Sequence, residues 1–399
     1  MKLKMNDRNS AHTHWGNGFT SLVTVWRDEL KAVSKDAGVL IFFFIVPLLY
    51  PLLYAFIYNN EVVREAKLVV VDQSDSYLSR EFTRRVDATP DVQVVGVVND
   101  MVEAKRMLDE KQAYGILSFP AEFSKEVYAG RQTQVSLYSD MSALLFYKSF
   151  LIAATDVSLE MGSEVRMRNH PASTDKLAEI TSNPIPYESV SYYNTPNGFA
   201  SFLVPAILIL VLQQTLLFGI GMRFGTEWER HPNLLLRQPP MIRLLGKSLA
   251  YLILYIPVCL WVLVIVPRLF GLPQVGDPVA IGLFLLPYLL ACIFLGLLLG
   301  NFMPSREAPM MLLVFSSVIL IFISGISWPW AAVPPFWKAV GFLFPSTPGI
   351  QGFVRLNTMA APFHEVADSY LTMWAQTLLY LALAYVAQRW RNRKVINSL

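Results

Sequence analysis

Few residues in this 399-residue chain could do chemistry, and most sit at spacings that their chemistry does not accept. The triplet Gly246–Lys247–Ser248 could belong to a phosphate-binding loop. Such a loop needs a second glycine five residues before Gly246, and that position is Met241. It also needs a strand before it, whereas here the triplet simply leads into an apolar run. There is no His-Glu-x-x-His, Gly-x-Ser-x-Gly or Cys-x-x-Cys pattern. Asp72, Asp75 and Asp140 follow strand-like stretches. Carboxylates there commonly shape turns by accepting backbone N–H groups, so we read them as turn formers rather than a metal or acid–base pair. Cys259 and Cys292 both fall inside apolar runs and are expected as buried small side chains. The chain therefore carries no catalytic residue, no metal site and no cofactor of its own in this reading. Work against a gradient would have to be powered by a partner or by an ion gradient.

Polar side chains inside apolar runs remain. Gln213, Gln214 and Thr215 form one group, and Ser316 and Ser317 another. They either hydrogen-bond between helices or line a substrate path. Ion-coupled carriers place ionisable groups inside their spans, and these runs hold almost none, which weighs against that class.

The elements that must hold these residues are membrane helices. The chain is 54% hydrophobic and 16% charged, against roughly 25% charged in soluble proteins. A net charge of +3 is too small to suggest nucleic acid. A helix needs about 20 apolar residues to cross the hydrocarbon core. Six runs qualify: Ala37–Ile57, Gly198–Met222, Ser248–Pro267, Val279–Phe302, Ala308–Ser327 and Ser369–Gln388. The first follows a polar, basic stretch and lacks a small-residue cleavage signature, so it reads as a retained anchor. Short-loop basic residues set the orientation. Six Lys/Arg precede the first run, five lie in Met222–Lys247 and four follow Gln388. The opposite loops carry only Arg268, Lys338 and Arg355. Both termini are thus expected in the cytoplasm, and residues 59–196 outside it. Trp328, Trp330 and Trp337 suit an outer interfacial belt.

Before the first span, Phe19, Leu22, Trp26, Leu30 and Val33 recur at helical steps, with Arg27, Asp28, Lys31 and Lys35 between them. This predicts an amphipathic helix, lying in the membrane interface or packed on the protein's own cytoplasmic surface. Residues 59–196 read as an α/β layer. Strands are expected at Lys67–Asp72, Val92–Val98, Ala113–Phe119 and Val135–Tyr138. Helices are expected at Ser76–Ala88, Asp100–Glu110, briefly after Pro120, and from Ser142 to about Arg168. The fold class is an α-helical polytopic membrane protein of six spans with an inserted α/β extracytoplasmic domain.

The run VVVDQSDSYLSREF, then AYGILSFPAEFSKEVYAG, QVSLYSD and YNTPNGFASFLVPAILIL, resembles the type-2 ABC transporter permease family, in the subgroup with a large outer domain after span one. The late segment ISGISWPWAAVPPFWKAVGFLFPSTPGIQGFVRLN is similar to that family's Ser-Gly, Pro and Pro-x-Thr pattern, and residues 328–357 would form short re-entrant helices. The resemblance implies a coupling segment at residues 225–240 that docks on a separate cytoplasmic ABC ATPase. Glu227, Trp228, Glu229, Arg230, Leu234 and Leu235 are its contact residues, with His231–Pro232 as an insertion relative to the usual order. Independently of the resemblance, Trp228 and three consecutive leucines among charges suit a partner's groove. The resemblance further implies a second permease chain, identical or similar, often a periplasmic adaptor, and ATP used by the partner subunit. The expected activity is export of an amphipathic or lipophilic substrate across a bacterial inner membrane, with Gln213, Gln214, Ser316 and Ser317 as substrate-path candidates. A membrane-anchored receptor or scaffold with a ligand-binding outer domain is the alternative, and an ion-coupled efflux carrier the second.

Overall fold

The computed structural model describes residues 18–59, 63–140, 144–169, 193–194, 198–230 and 238–398. They divide into two compact units, one of residues 1–59 with 198–399 and the other of residues 60–197.

The first unit is helical. The amphipathic pattern folds as α1 (Gly18–Lys35), and Asp36 then caps α2 (Ala37–Ile57) by accepting the Val39 amide. Next come α7 (Phe199–Arg230), α8 (Pro240–Leu269), α9 (Pro278–Gly300), α10 (Ala308–Ile323), α11 (Pro335–Gly341), α12 (Ser346–Met359) and α13 (Ala367–Ser398). Prolines leave identifiable marks on them. The helix widens by one residue per turn at Ile41–Ile45, before Pro47, and at Trp261–Ile265, before Pro267. Pro267 has no N–H for the Leu263 carbonyl, and the Gln274 side-chain amide donates to it instead, at 2.5 Å. Gly219 makes room for the Phe43 ring, 1.9 Å from where a Cβ would sit, so α2 and α7 interlock. Phe43 in turn meets Tyr251 and Tyr255 of α8 edge-on.

Five helices are long and apolar enough to cross a membrane: Ala37–Ile57, Phe199–Arg230, Pro240–Leu269, Pro278–Gly300 and Phe363–Arg393. The run read as Ala308–Ser327 is shorter, a 16-residue helix. Gly325 takes φ +88°, a left-handed conformation that ends the helix just after Ser324. The second run is longer than its apolar stretch. Its helix passes Met222 and continues to Arg230, so residues 225–230 are helical.

The second unit is a four-stranded mixed sheet with helices on both faces. Its elements are β1 (Ala66–Asp72), α3 (Tyr77–Asp87), β2 (Val92–Val98), α4 (Met101–Asp109), β3 (Gly115–Phe119), α5 (Phe123–Tyr128), β4 (Ser136–Ser139) and α6 (Leu144–Asn169). The order is β2-β1-β3-β4; β1 runs parallel to both neighbours and β4 antiparallel to β3. Alternate β1 residues face opposite sides. Leu68 and Val70 pack with Phe82, Phe119, Phe150 and Val157, while Val69 and Val71 pack with Ala104 and Ile116. Burial on both sides explains why this strand reads as an unbroken apolar run. Asp72 is a turn former: its carboxylate accepts the Ser79 hydroxyl at 2.7 Å and the Ser74 and Asp75 amides at 3.0 Å. Ser76 and Ser79 close a reciprocal cap on α3. On the outer side of α3, hydrogen bonds first from Arg84 and then from Arg85 hold the Glu81 carboxyl down at about 2.

Candidate functional site

Two places in the helical unit gather polar side chains. The first lies where the Arg230 end of α7 meets α1 and the start of α8. Arg223 and Glu227 sit one turn apart on α7, and Arg243 and Lys247 one turn apart on α8. Glu29 enters from α1, on the stripe between Trp26 and Val33 that faces the other helices. The Lys247 ammonium lies 2.6 Å from Glu227 Oε1 and 3.1 Å from Glu29 Oε2. Arg223 reaches Glu29 and Glu227, each at 3.2 Å, and Arg243 pairs with the other oxygen of Glu227. The Tyr251 hydroxyl donates to Glu29 at 2.6 Å, and Lys247 also lies 4.5 Å above the Phe224 ring. Three cations thus face two carboxylates, and all are buried; Lys247 is 2% exposed. Charges this deep persist only when paired and hydrogen-bonded, so the cluster fixes α1, α7 and α8 to one another.

Glycine makes the approach possible. A Cβ on Gly246 would stand 2.7 Å from Val25 Cγ1 of α1. The triplet that imitated a nucleotide loop is therefore a packing site, with Gly246 for contact, Lys247 for charge and the Ser248 hydroxyl donating to the Leu245 carbonyl. A second tie comes from the turn between α9 and α10. Arg306 pairs with Asp36, its side chain donates to Thr226 Oγ1, and its amide donates to Glu229. Gly225 admits this turn, because a Cβ there would be 2.5 Å from the Ser305 carbonyl oxygen.

The residues expected to couple to a motor divide accordingly. Glu227 is 5% exposed and engaged with three cations of its own chain. Trp228 is half-buried beneath the Arg391 guanidinium, 4.3 Å from its ring centroid. Glu229 and Arg230 are exposed, and Leu234 and Leu235 lie outside the described residues. Sequence reading missed Glu29, Arg223, Arg243 and Lys247 as a group. The available signal was a carboxylate on the apolar stripe of α1 together with two charge pairs at i,i+4 spacing.

The second place is a cleft of about 300 Å³ between α2, α7 and α10. Phe42, Tyr50 and Tyr54 line it from α2, Gln214 and Phe218 from α7, and Val314, Ser317 and Ile321 from α10. The Tyr50 and Tyr54 rings lie 4.9 Å apart, tilted at 50°, and Tyr58 continues the row 6.1 Å from Tyr54. Among the described residues, none that lines the cleft is charged. Gln214 is 7% exposed, and among the described residues neither its amide oxygen nor its amide nitrogen has a hydrogen-bond partner. The other polar candidates each make at least one hydrogen bond, although the Gln213 amide nitrogen has no partner among the described residues. Gln213 turns away, its carbonyl accepting the Ser346 amide at 2.7 Å at the start of α12. Ser316 and Ser317 donate to carbonyls of their own helix, Leu313 and Val314. Thr215 donates to the Val211 carbonyl and accepts the Tyr255 hydroxyl. Of the four predicted path residues, then, the structure brings Gln214 and Ser317 to one cleft and sends Gln213 elsewhere; Ser316 does not line it.

Neither place holds a catalytic arrangement. Among the described residues, no group of three His, Cys, Asp or Glu side chains could hold a metal ion. The model of a protein family described as ABC-2 family transporter protein matches residues 37–386. No curated protein matches the chain.

Proposed function

Because the chain belongs to the ABC-2 transporter family, we propose that it is the permease subunit of an ATP-driven exporter, moving an amphipathic or lipophilic substrate out of the cytoplasm or the inner membrane. In this reading a separate cytoplasmic ABC ATPase burns the fuel, and a second permease chain, identical or similar, completes the pathway; a periplasmic adaptor joins outside. The chain crosses a bacterial inner membrane six times, with α10 as the short span, both termini cytoplasmic and residues 59–196 periplasmic.

The observation that supports motor coupling is the way α7 ends. Its last turn, with Glu229 and Arg230, is exposed, while the turn before it is clamped through Arg223 and Glu227 to α1 and α8. A push on the exposed turn therefore moves three helices as one body, and α7 is also a wall of the cleft. On this basis Trp228, Glu229, Arg230, Leu234 and Leu235 form the ATPase contact, and Glu227 acts from inside as its anchor. Gln214 and Ser317 face the substrate path.

The test is purification of the tagged full chain from its native membrane in mild detergent. We expect a separate ATPase to co-purify, and expect replacement of Glu229 and Arg230 by alanine to weaken its retention. ATP hydrolysis by the isolated chain, or retention of the ATPase after removal of residues 228–236, would overturn the proposal.

A further inference from the structure

Gln214 poses a physical problem that the fold does not solve. Nearly all buried polar side-chain atoms in native proteins have a hydrogen-bond partner. An amide offers two donors and an acceptor with two lone pairs, and inside a bilayer no bulk water stands in. Yet both amide atoms of Gln214 are buried and unpaired among the described residues, whereas the neighbouring Gln213 has at least its carbonyl oxygen engaged, by the Ser346 amide. The unpaired group faces a cleft whose other walls are aromatic and aliphatic, and whose Ser317 and Thr215 hydroxyls already donate to backbone carbonyls.

We infer that Gln214 is the specificity-determining contact for an uncharged amphiphile, a molecule with a carboxamide or hydroxyl head and one aromatic or short aliphatic body. This rests on the permease reading and names the substrate class of its cleft. Four observations define the class. The amide can both donate and accept, so it matches a head group that does the same. None of the described residues lining the cleft is charged, and burying an ionised head without a partner is costly. Its volume of about 300 Å³ stands at the lower end of ligand sites, room for a small molecule and not for a polymer strand. The Tyr50 and Tyr54 rings, tilted 50° to one another, supply aromatic surface for the body.

The experiment uses the purified full chain in phosphatidylcholine nanodiscs, with protein-free nanodiscs as the blank. Three fluorescent probes share one naphthyl-octyl tail and end in a carboxamide, a carboxylate or a trimethylammonium. Binding is measured to the wild type and to Gln214→Leu, alongside thermal unfolding without ligand. We expect the carboxamide probe to bind the wild type about tenfold more tightly than either charged probe, and Gln214→Leu to weaken carboxamide binding about tenfold. The same substitution should raise the ligand-free melting temperature, because it deletes an unpaired buried amide. A residue with a merely structural role would lower that temperature when replaced, and this outcome would overturn the inference. So would equal carboxamide binding to both proteins, tighter binding of the trimethylammonium probe, or no binding of any probe to the wild type. ATPase co-purification is read separately on the same preparation. Its failure with the probe result intact would sink the permease reading alone, and the reverse pattern would sink only the cargo class.

Discussion

Replacing Glu227 with glutamine should destabilise the helical unit far more than its position at the edge of a charged segment suggests. Wild type sets Arg223, Arg243 and Lys247 against Glu29 and Glu227, a surplus of one positive charge. Glutamine makes it three cations against one carboxylate, a surplus of two. Glu29 still holds Arg223 and Lys247, so Arg243, which is buried and among the described residues forms its ion pair with Glu227, becomes the orphan. Removing one partner of a buried pair costs about 3–5 kcal/mol. Adding Lys247→Met to the same chain returns the surplus to one. That second substitution should therefore recover part of the loss, about 1–3 kcal/mol of favourable coupling. Arg230→Gln, on the exposed turn, should stay within about 0.5 kcal/mol of wild type. Denaturant unfolding of the purified chain in mixed micelles, followed by tryptophan fluorescence, measures all five proteins, Lys247→Met alone included. The reasoning fails if Glu227→Gln matches wild type, or if the double variant is no better than the sum of the singles.

Gly246→Leu drives a side chain into Val25 and the Leu22 carbonyl of α1; cysteine labelling along α1 should increase in that variant and be unchanged in Ser248→Ala. Asp72→Asn leaves the turn after β1 with a weaker acceptor for the Ser79 hydroxyl and two amides, and should cost about 1–3 kcal/mol, read as faster limited proteolysis within residues 63–140. Glu81 has a folded pKa lowered from 4.5 to about 2, so its contribution is complete above the unfolded value and is lost as pH falls toward 2. A carboxyl titration by NMR should find Glu81 still ionised at pH 3, and Arg84→Gln should move its midpoint upward.

Much of this arrangement could be read from the chain because hydrophobicity is written locally. The apolar runs located the membrane helices, and two-sided burial made β1 legible as Val69–Val71. Boundaries failed where local pattern does not decide them. Polar residues 225–230 look like the start of a loop, yet the helix continues because Glu227 and Arg223 are satisfied by groups far away in sequence. Burial of charge is a tertiary fact: Glu227 and Glu229 differ by two positions, and only the arrival of α1 and α8 makes one buried and the other exposed. The two glutamines show the same limit. Adjacent residues on a helix point about 100° apart, so one of Gln213 and Gln214 had to face elsewhere, but nothing local says that α12 claims the first. Gly246 gave a false lead because its reason for being glycine lies in Val25, more than two hundred residues earlier.

The 16 residues of α10 span about 24 Å at 1.5 Å per residue, roughly 6 Å less than an average hydrocarbon core. Its outer surface is covered with Met311, Phe315 and Phe322, which offer nothing polar to lift toward water. Taken as a span, such a helix draws the lipid headgroups inward, at a fraction of a kcal/mol per Å. The dimple would form beside Val314, Ser317 and Ile321, where the cleft has its third wall. On the proposed export reading, a molecule leaving at that point would travel a shorter distance through oil, and the shortness of one helix would lower the barrier to release.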